Sequence, residues 1–144
     1  MKLETGWVTK SEYCVVKPLR NGRRQELIML ATHIGGGHWY IAAGIFSCNI
    51  SYATMNCSEV WKTPTSANKN PSFKTIPIAL EALTEIENEL IKNANGKRHY
   101  IYIDGMDERR LRVYTKVLTR YNCGYKKSTR VSPYCSLPML YKAI

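Results

Sequence analysis

The segment from His99 to Tyr121, HYIYIDGMDERRLRVYTKVLTRY, is the feature that most constrains the fold of this chain. Its first six residues place apolar or aromatic side chains on both faces of an extended segment, which is typical of a central strand covered on both sides. A helix is predicted from Asp107 to about Tyr121, and its inward-facing residues would be Leu111, Tyr114, Val117, Leu118 and Tyr121. The pattern predicts an α/β (α+β) domain in which residues 99–104 lie between two other strands of a mixed sheet.

The part of the chain before residue 64 is predicted to be mostly β-structure. Residues 12–48 contain the segments EYCVVKPL, ELIMLATHI and HWYIAAGIFSC, which indicate an N-terminal antiparallel meander. Asn21-Gly22 favours a tight hairpin turn between the first two segments, and Gly35–Gly37 supplies the second reversal. Residues 50–63, ISYATMNCSEVWKT, alternate as expected of a fourth, half-buried strand.

A loop and a helix are predicted next. Residues 62–74 are rich in Pro, Ser, Thr, Asn and Lys, which indicates a loop, and Thr75 is a candidate N-cap for a helix over residues 76–92. Gly96 is the expected terminator. The predicted apolar face consists of Ile76, Leu80, Leu83, Ile86, Leu90 and Ile91. The predicted solvent face consists of Glu81, Glu85 and Glu89. Residues 124–144 can supply a final strand and a tail, so the whole chain, 1–144, is interpreted as one domain.

This order of elements, an antiparallel meander followed by β-loop-α-β-α-β, resembles the GNAT superfamily of N-acetyltransferases. The most specific resemblance lies in the helix after residues 99–104, where many family members have Asn, then Ala three residues on, then Tyr seven residues on. Here Asp107, Arg110 and Tyr114 stand at those positions. The run Arg110-x-x-x-Tyr114-x-x-x-Leu118 is also similar to small phage-type proteins with a GNAT-like fold. The resemblance is one of pattern and covers roughly residues 50–125.

The resemblance implies a place for acyl-CoA beside the fourth strand and the helix that follows it. It also implies that Tyr114, with Asp107 nearby, forms the catalytic pair, and that Tyr114 protonates the departing CoA thiolate as a general acid. The family binds the CoA pyrophosphate with a glycine-rich loop, whereas the segment TPTSANKNPSFK of this chain has no glycine. If acetyl-CoA binds, the candidate phosphate ligands in that segment are Ser66, Asn68, Lys69 and Ser72.

The charge distribution points to an anionic partner. The formal net charge is +10, and residues 96–144 account for +8 of it. The predicted helix carries basic residues at steps of three and four, opposite its apolar face, and tyrosines interleave with the basic residues that follow. Basic residues neutralise phosphates and exposed aromatic rings stack on unpaired bases. The predicted partner-binding residues are Arg109, Arg112, Lys116, Arg120, Lys126, Lys127 and Arg130.

Other functional classes have little support in the sequence. The five cysteines form no CxxC pair, so neither a zinc ribbon nor a thioredoxin-type site is indicated. His33 and His38 flank the glycine turn, but two histidines without a third ligand indicate no metal site. No apolar run reaches the roughly eighteen residues that would span a bilayer, and the first ten residues lack a signal-peptide core. We therefore expect no membrane partner and a cytoplasmic protein, in the host cytoplasm if a phage encodes it.

Two hypotheses about function follow. In the first, the chain is a small, basic, GNAT-like protein without catalysis or cofactor, a phage-type host-takeover or counter-defence factor that binds nucleic acid or an acidic host protein. In the second, it is an acyl-CoA-dependent N-acyltransferase in which Tyr114 is the general acid. The missing glycines favour the first, and the spacing of Asp107 and Tyr114 favours the second.

Overall fold

The computed structural model describes residues 3–19, 25–47, 75–105 and 107–144, which form one mixed seven-stranded sheet and two helices. The strands are β1 (Gly6–Thr9), β2 (Glu12–Leu19), β3 (Gln25–His33), β4 (His38–Ser47), β5 (Tyr100–Ile103), β6 (Lys126–Val131) and β7 (Pro138–Ala143). The helices are α1 (Thr75–Asn93) and α2 (Glu108–Arg120). The strand order across the sheet is β1-β2-β3-β4-β5-β7-β6. The protein is therefore of the mixed α+β class.

The predicted antiparallel meander is confirmed. Strands β2, β3 and β4 pair antiparallel in that order, with Val15 opposite Met29 and Leu27 opposite Ile45. The reversal between β3 and β4 uses Gly35 at φ 109° and Gly36 at φ 54°, backbone conformations that side chains with a Cβ rarely adopt. The predicted Asn21-Gly22 turn, the fourth strand over residues 50–63 and the loop over residues 62–74 lie outside the described residues.

The central position predicted for residues 99–104 is also confirmed. Strand β5 pairs parallel with β4 on one side and antiparallel with β7 on the other. Ile101 and Ile103 face the helices, whereas Tyr102 faces the opposite side of the sheet, and all three side chains are buried. Burial of both faces explains why this strand has no polar alternation.

Helix α1 packs one apolar side on the sheet, through Leu83, Ile86 and Leu90. The prediction that Ile91 belongs to this side is wrong, because its side chain is 51% exposed. Successive helix residues point about 100° apart, and Ile91 falls on the solvent side of Leu90. The predicted solvent face is partly engaged as well, since Lys17 of β2 pairs with Glu85 at 2.9 Å and with Glu81 at 3.2 Å.

Helix α2 begins and ends close to the predicted bounds. Asp107 is its N-cap, because its Oδ1 accepts a hydrogen bond from the backbone N–H of Arg110 at 2.7 Å. Leu118 is buried, whereas Leu111, Tyr114 and Val117 are half-buried. The prediction that Tyr121 faces inward is wrong: Tyr121 is the C-cap, outside the helical turn, and is 53% exposed.

The C-terminal part of the chain forms two strands rather than one. Strand β7 pairs antiparallel with both β5 and β6, so the last strand in sequence lies inside the sheet and β6 lies at its edge. Strand β1, which pairs antiparallel with β2, was also not predicted from the sequence.

The core is divided between the two faces of the sheet because alternate strand residues point to opposite sides. One face packs on both helices and includes Val15, Met29, Ile41 and Ile101. The opposite face gathers a second cluster of buried and half-buried side chains. Its members are Leu3, Val8, Cys14, Val16, Ile28, Leu30, Tyr40, Ala42, Phe46, Tyr100, Tyr102, Met139 and Tyr141.

Candidate functional site

A cavity of about 390 Å³ lies between the two helices and the face of the sheet formed by β3, β4 and β5. Most of its lining is apolar. Strands contribute Met29 and Ile41, helix α1 contributes Leu80, and helix α2 contributes Val113 and Val117. The cavity can therefore take an extended apolar group that lies along the parallel pair β4 and β5.

Polar groups are concentrated at one part of this lining. They are Thr75 at the start of α1, Asp104 at the end of β5, and Asp107, Arg109, Arg110 and Tyr114 at the start of α2. Asp107 and Arg109 are exposed, so this part of the cavity faces solvent. The first turn of α1 carries the partial positive charge of a helix N-terminus. The two arginines and the two carboxylates balance in formal charge, so this part of the lining offers both donors and acceptors of hydrogen bonds beside an apolar pocket.

The hydroxyl of Tyr114 is held in its protonated form. Burial raises the pKa of Tyr114 above its usual value; the charge of Arg110 opposes this effect, while Asp107 and Asp104 add to it. Because the phenol keeps its proton at neutral pH, Tyr114 can take part in a proton transfer only as a donor.

Asp107 lies close to Tyr114, but its contacts are structural. One carboxylate oxygen caps α2, and the other lies 3.5 Å from Arg110 Nε. The neighbouring Asp104 is 1% exposed, and its Oδ2 accepts a hydrogen bond from the Tyr40 hydroxyl at 2.5 Å. Tyr40 could not be connected with the site from the sequence, because no local pattern relates two residues that are 64 positions apart.

The candidate phosphate ligands Ser66, Asn68, Lys69 and Ser72 lie outside the described residues. Thr75, the first described residue after them, lines the cavity. It is the first described residue of α1, so the prediction that it caps this helix is not tested.

The basic stripe predicted on α2 is exposed. Arg109, Arg112, Lys116 and Arg120 all reach solvent. Arg112 Nη2 lies 3.5 Å from Glu108 Oε1, and both side chains are at least 70% exposed, so this ion pair holds neither group firmly. Arg109, Arg112 and Lys116 also line a shallow groove together with Val113. Arg109 and Val113 line both the groove and the cavity.

The remaining predicted basic residues lie away from α2. Lys126, Lys127 and Arg130 are on the edge strand β6 and are exposed. The Arg130 guanidinium lies 5.0 Å from the centre of the Tyr102 ring, on the face of the sheet opposite the helices. The structure therefore separates the predicted partner-binding residues into a helix group and a sheet group.

The two histidines of the glycine turn are engaged in separate contacts. His33 Nε2 lies 2.6 Å from the carbonyl oxygen of Gly36, and His38 Nδ1 lies 2.9 Å from the Tyr102 hydroxyl. In the described ranges, no group of three or more His, Cys, Asp or Glu side chains is placed to hold a metal ion.

Comparison with protein-family models, with curated proteins and with solved structures finds no match for this chain. Neither helix in the described part of the chain is long and apolar enough to cross a membrane.

Proposed function

We propose that the protein is an acyl-CoA-dependent N-acyltransferase with a GNAT-like fold. The observation that supports this most is the cavity beside the parallel pair β4 and β5, with Tyr114 in its lining. The resemblance found in the sequence implies an acyl-CoA site beside the helix predicted over residues 76–92, and the corresponding helix α1 lines this cavity. The sheet order, with β7 between β5 and β6, is compatible with the same fold.

The proposed chemistry needs a proton donor close to the thioester sulfur. The acceptor amine attacks the thioester carbonyl carbon, a C–N bond forms, and the C–S bond then breaks. The CoA thiolate takes the hydroxyl proton of Tyr114, and the amine loses its extra proton to water, from which Tyr114 is reprotonated. The positive charge of Arg110, which opposes the rise in the pKa of Tyr114, stabilises the phenolate that exists between these two proton transfers.

Kinetics of a Tyr114→Phe variant test this role. The ring and its packing are kept, so acetyl-CoA should bind with unchanged affinity, while kcat should fall about 10²- to 10⁴-fold, the usual contribution of a general acid. Tyr125→Phe, which removes a hydroxyl outside the cavity, is the matched control. An unchanged kcat in Tyr114→Phe would remove Tyr114 from the mechanism.

A second candidate function rests on the exposed stripe of α2. In this alternative, the chain is a non-catalytic, phage-type binding protein whose partner is nucleic acid or an acidic host protein. The stripe lies on the solvent side of the helix, so its four cations are not needed for folding.

The variant Arg112→Ala/Lys116→Ala/Arg120→Ala tests the second function. It should weaken partner binding, most strongly at low salt, and should leave the melting temperature nearly unchanged. If a partner recovered by affinity purification binds this variant as tightly as the parent, the stripe is only a solvated surface.

A further inference from the structure

The face of the sheet opposite the helices carries a group of aromatic rings that run from β4 to β7. His38 is opposite Tyr100 in the parallel pair, and their ring centres are 5.3 Å apart at an interplanar angle of 19°. Tyr102 is opposite Tyr141 in the next pair, with ring centres 6.2 Å apart at 22°. The hydrogen bond between His38 and Tyr102 joins the two ring pairs. Strand pairing, ring stacking and this hydrogen bond therefore fix the four rings relative to one another.

Basic side chains border these rings on the β6 side. Arg130 lies over the Tyr102 ring at 5.0 Å, and Lys126 is opposite Tyr141 in the β6–β7 pairing. Both basic side chains are exposed. The sequence contains nine Lys and Arg residues and no Asp or Glu after Glu108, so β6 and β7 carry cations alone. This edge of the sheet therefore attracts anions.

His38 contributes a ring rather than a charge. Burial and the nearby charge of Arg130 lower the pKa of His38, and His33 adds to this effect. At neutral pH the imidazole is therefore uncharged, which allows it to stack on Tyr100 without repelling Arg130.

The rings differ in how much of them a ligand can reach. Tyr102 is buried beneath Arg130, whereas Tyr100 and Tyr141 are half-buried. Tyr100 and Tyr141 are thus the rings available to a planar ligand, and Lys126 and Arg130 are the cations available to its charged groups.

We propose that this aromatic–basic surface, formed by His38, Tyr100, Tyr102, Lys126, Arg130 and Tyr141, binds single-stranded nucleic acid. Unpaired bases stack on aromatic rings, and the backbone phosphates between them are neutralised by Lys and Arg. A duplex would offer its phosphates but not the faces of its bases, so it would contact the basic side chains and not the rings. The carboxylates of an acidic protein would pair with the two cations but would not stack on the ring faces. The inference is independent of the acyltransferase proposal, because the cavity lies on the other side of the sheet.

Binding of fluorescently labelled oligonucleotides tests the proposal, measured by anisotropy on the whole chain. A single strand of mixed sequence should bind more tightly than the same sequence as a duplex. Tyr100→Ala and Tyr141→Ala should each weaken binding by about tenfold or more, the usual loss when one base loses its stacking partner. Tyr100→Phe and Tyr141→Phe, which keep the ring, should bind nearly as the parent does and also show that the fold is intact.

The basic residues give a second, independent readout. Lys126→Ala/Arg130→Ala should lower the slope of log K against log salt by about 0.7 for each phosphate contact that is lost. The charge-matched control is Lys10→Ala/Lys92→Ala, which removes two exposed lysines outside both the sheet surface and the stripe on α2 and should leave the binding of single strands nearly unchanged. A second pair, Arg112→Ala/Lys116→Ala on α2, separates the sheet surface from the stripe on the helix.

Several results would overturn the proposal. Absence of oligonucleotide binding at low salt, equal or tighter binding of the duplex, or full affinity in the two Tyr→Ala variants would each do so. Loss of binding only in the α2 pair would assign the interaction to the helix. If polyglutamate of the same charge binds as tightly as the single strand, the surface recognises acidic chains rather than bases.

Discussion

The Tyr40 hydroxyl donates a 2.5 Å hydrogen bond to Asp104 Oδ2 and so joins β4 to the end of β5. Asp104 also contributes to the lining of the cavity, and the chain turns toward α2 directly after it. Gly105 makes this turn close: a Cβ at residue 105 would lie 2.6 Å from the Cα of Leu111. The contact between Tyr40 and Asp104 thus fixes the strand end from which the site is built.

Removing the hydroxyl of Tyr40 should destabilise the protein. In Tyr40→Phe the buried carboxyl group of Asp104 loses a hydrogen-bond partner, which costs about 1–3 kcal/mol of the free energy of unfolding. Urea unfolding measures this loss. Tyr100→Phe, which removes a hydroxyl from the same face of β5, is the control and should change stability little. Equal stabilities of Tyr40→Phe and the parent would show that the contact does not hold the strand end.

A buried acid in α1 supports the other end of the sheet. Glu87 Oε2 accepts hydrogen bonds from Lys142 Nζ at 2.8 Å and from the Tyr125 hydroxyl at 3.2 Å. Glu87 is nearly enclosed, while Lys142 is partly exposed. Glu87→Ala should therefore lower the free energy of unfolding by about 1–3 kcal/mol, less than breaking a fully buried ion pair would.

The matched control for Glu87 lies two turns earlier on the same helix. Glu81 pairs with Lys17, but its side chain is 64% exposed, so Glu81→Ala should cost less than about 1 kcal/mol. Thermal unfolding of the two variants side by side checks the difference. Similar losses in both would mean that burial does not strengthen the Glu87 contacts.

The free energy of unfolding should fall at alkaline pH, in part because the Cys14 thiol is buried. Burial raises the pKa of the Cys14 thiol to about 12, from 9.0 in its ordinary state. The folded state therefore keeps the proton that the unfolded chain releases above pH 9. The stability linked to this proton is fully present below pH 9 and is lost as the pH rises toward 12.

Urea unfolding at about pH 8 and about pH 10 checks this linkage, with a slope of at most about 1.4 kcal/mol per pH unit from one thiol. Burial also raises the pKa of Tyr114 and of Tyr125, so the parent loses stability for more than one reason. Cys14→Ala isolates the thiol: it should lose less stability between the two pH values than the parent. The same alkaline loss in both proteins would contradict a buried, protonated thiol.

The elements with a clear periodic pattern were the ones that the sequence predicted well. Residues 99–104 are apolar on both faces, and β5 lies inside the sheet; residues 107–121 have a helical period and an Asp cap, and α2 follows those bounds. Strand β6, KKSTRV, was missed because nearly all of its side chains are exposed, so no alternation marks it.

The site was harder to predict because it depends on pairing between distant residues. Hydrogen bonding in the sheet places β7 between β5 and β6. This strand order cannot be predicted from the order of the segments in the sequence. For the same reason the contact of Tyr40 with Asp104, and the separation of Arg130 from the stripe on α2, could not be read from local patterns. Tyr114 lines the cavity, and its proposed role remains a prediction that rests on the family resemblance.

The most direct test of the acyltransferase account is the melting temperature with and without acetyl-CoA, in the parent and in a variant with a filled cavity. At a hundred times its Kd, acetyl-CoA should stabilise the parent by about 2.7 kcal/mol, a rise of several degrees. Ala79→Phe places a ring in the cavity and should abolish that rise. Ala143→Phe, at the exposed end of β7, should keep it. No rise in the parent at millimolar acetyl-CoA, or an equal rise in Ala79→Phe, would contradict the account.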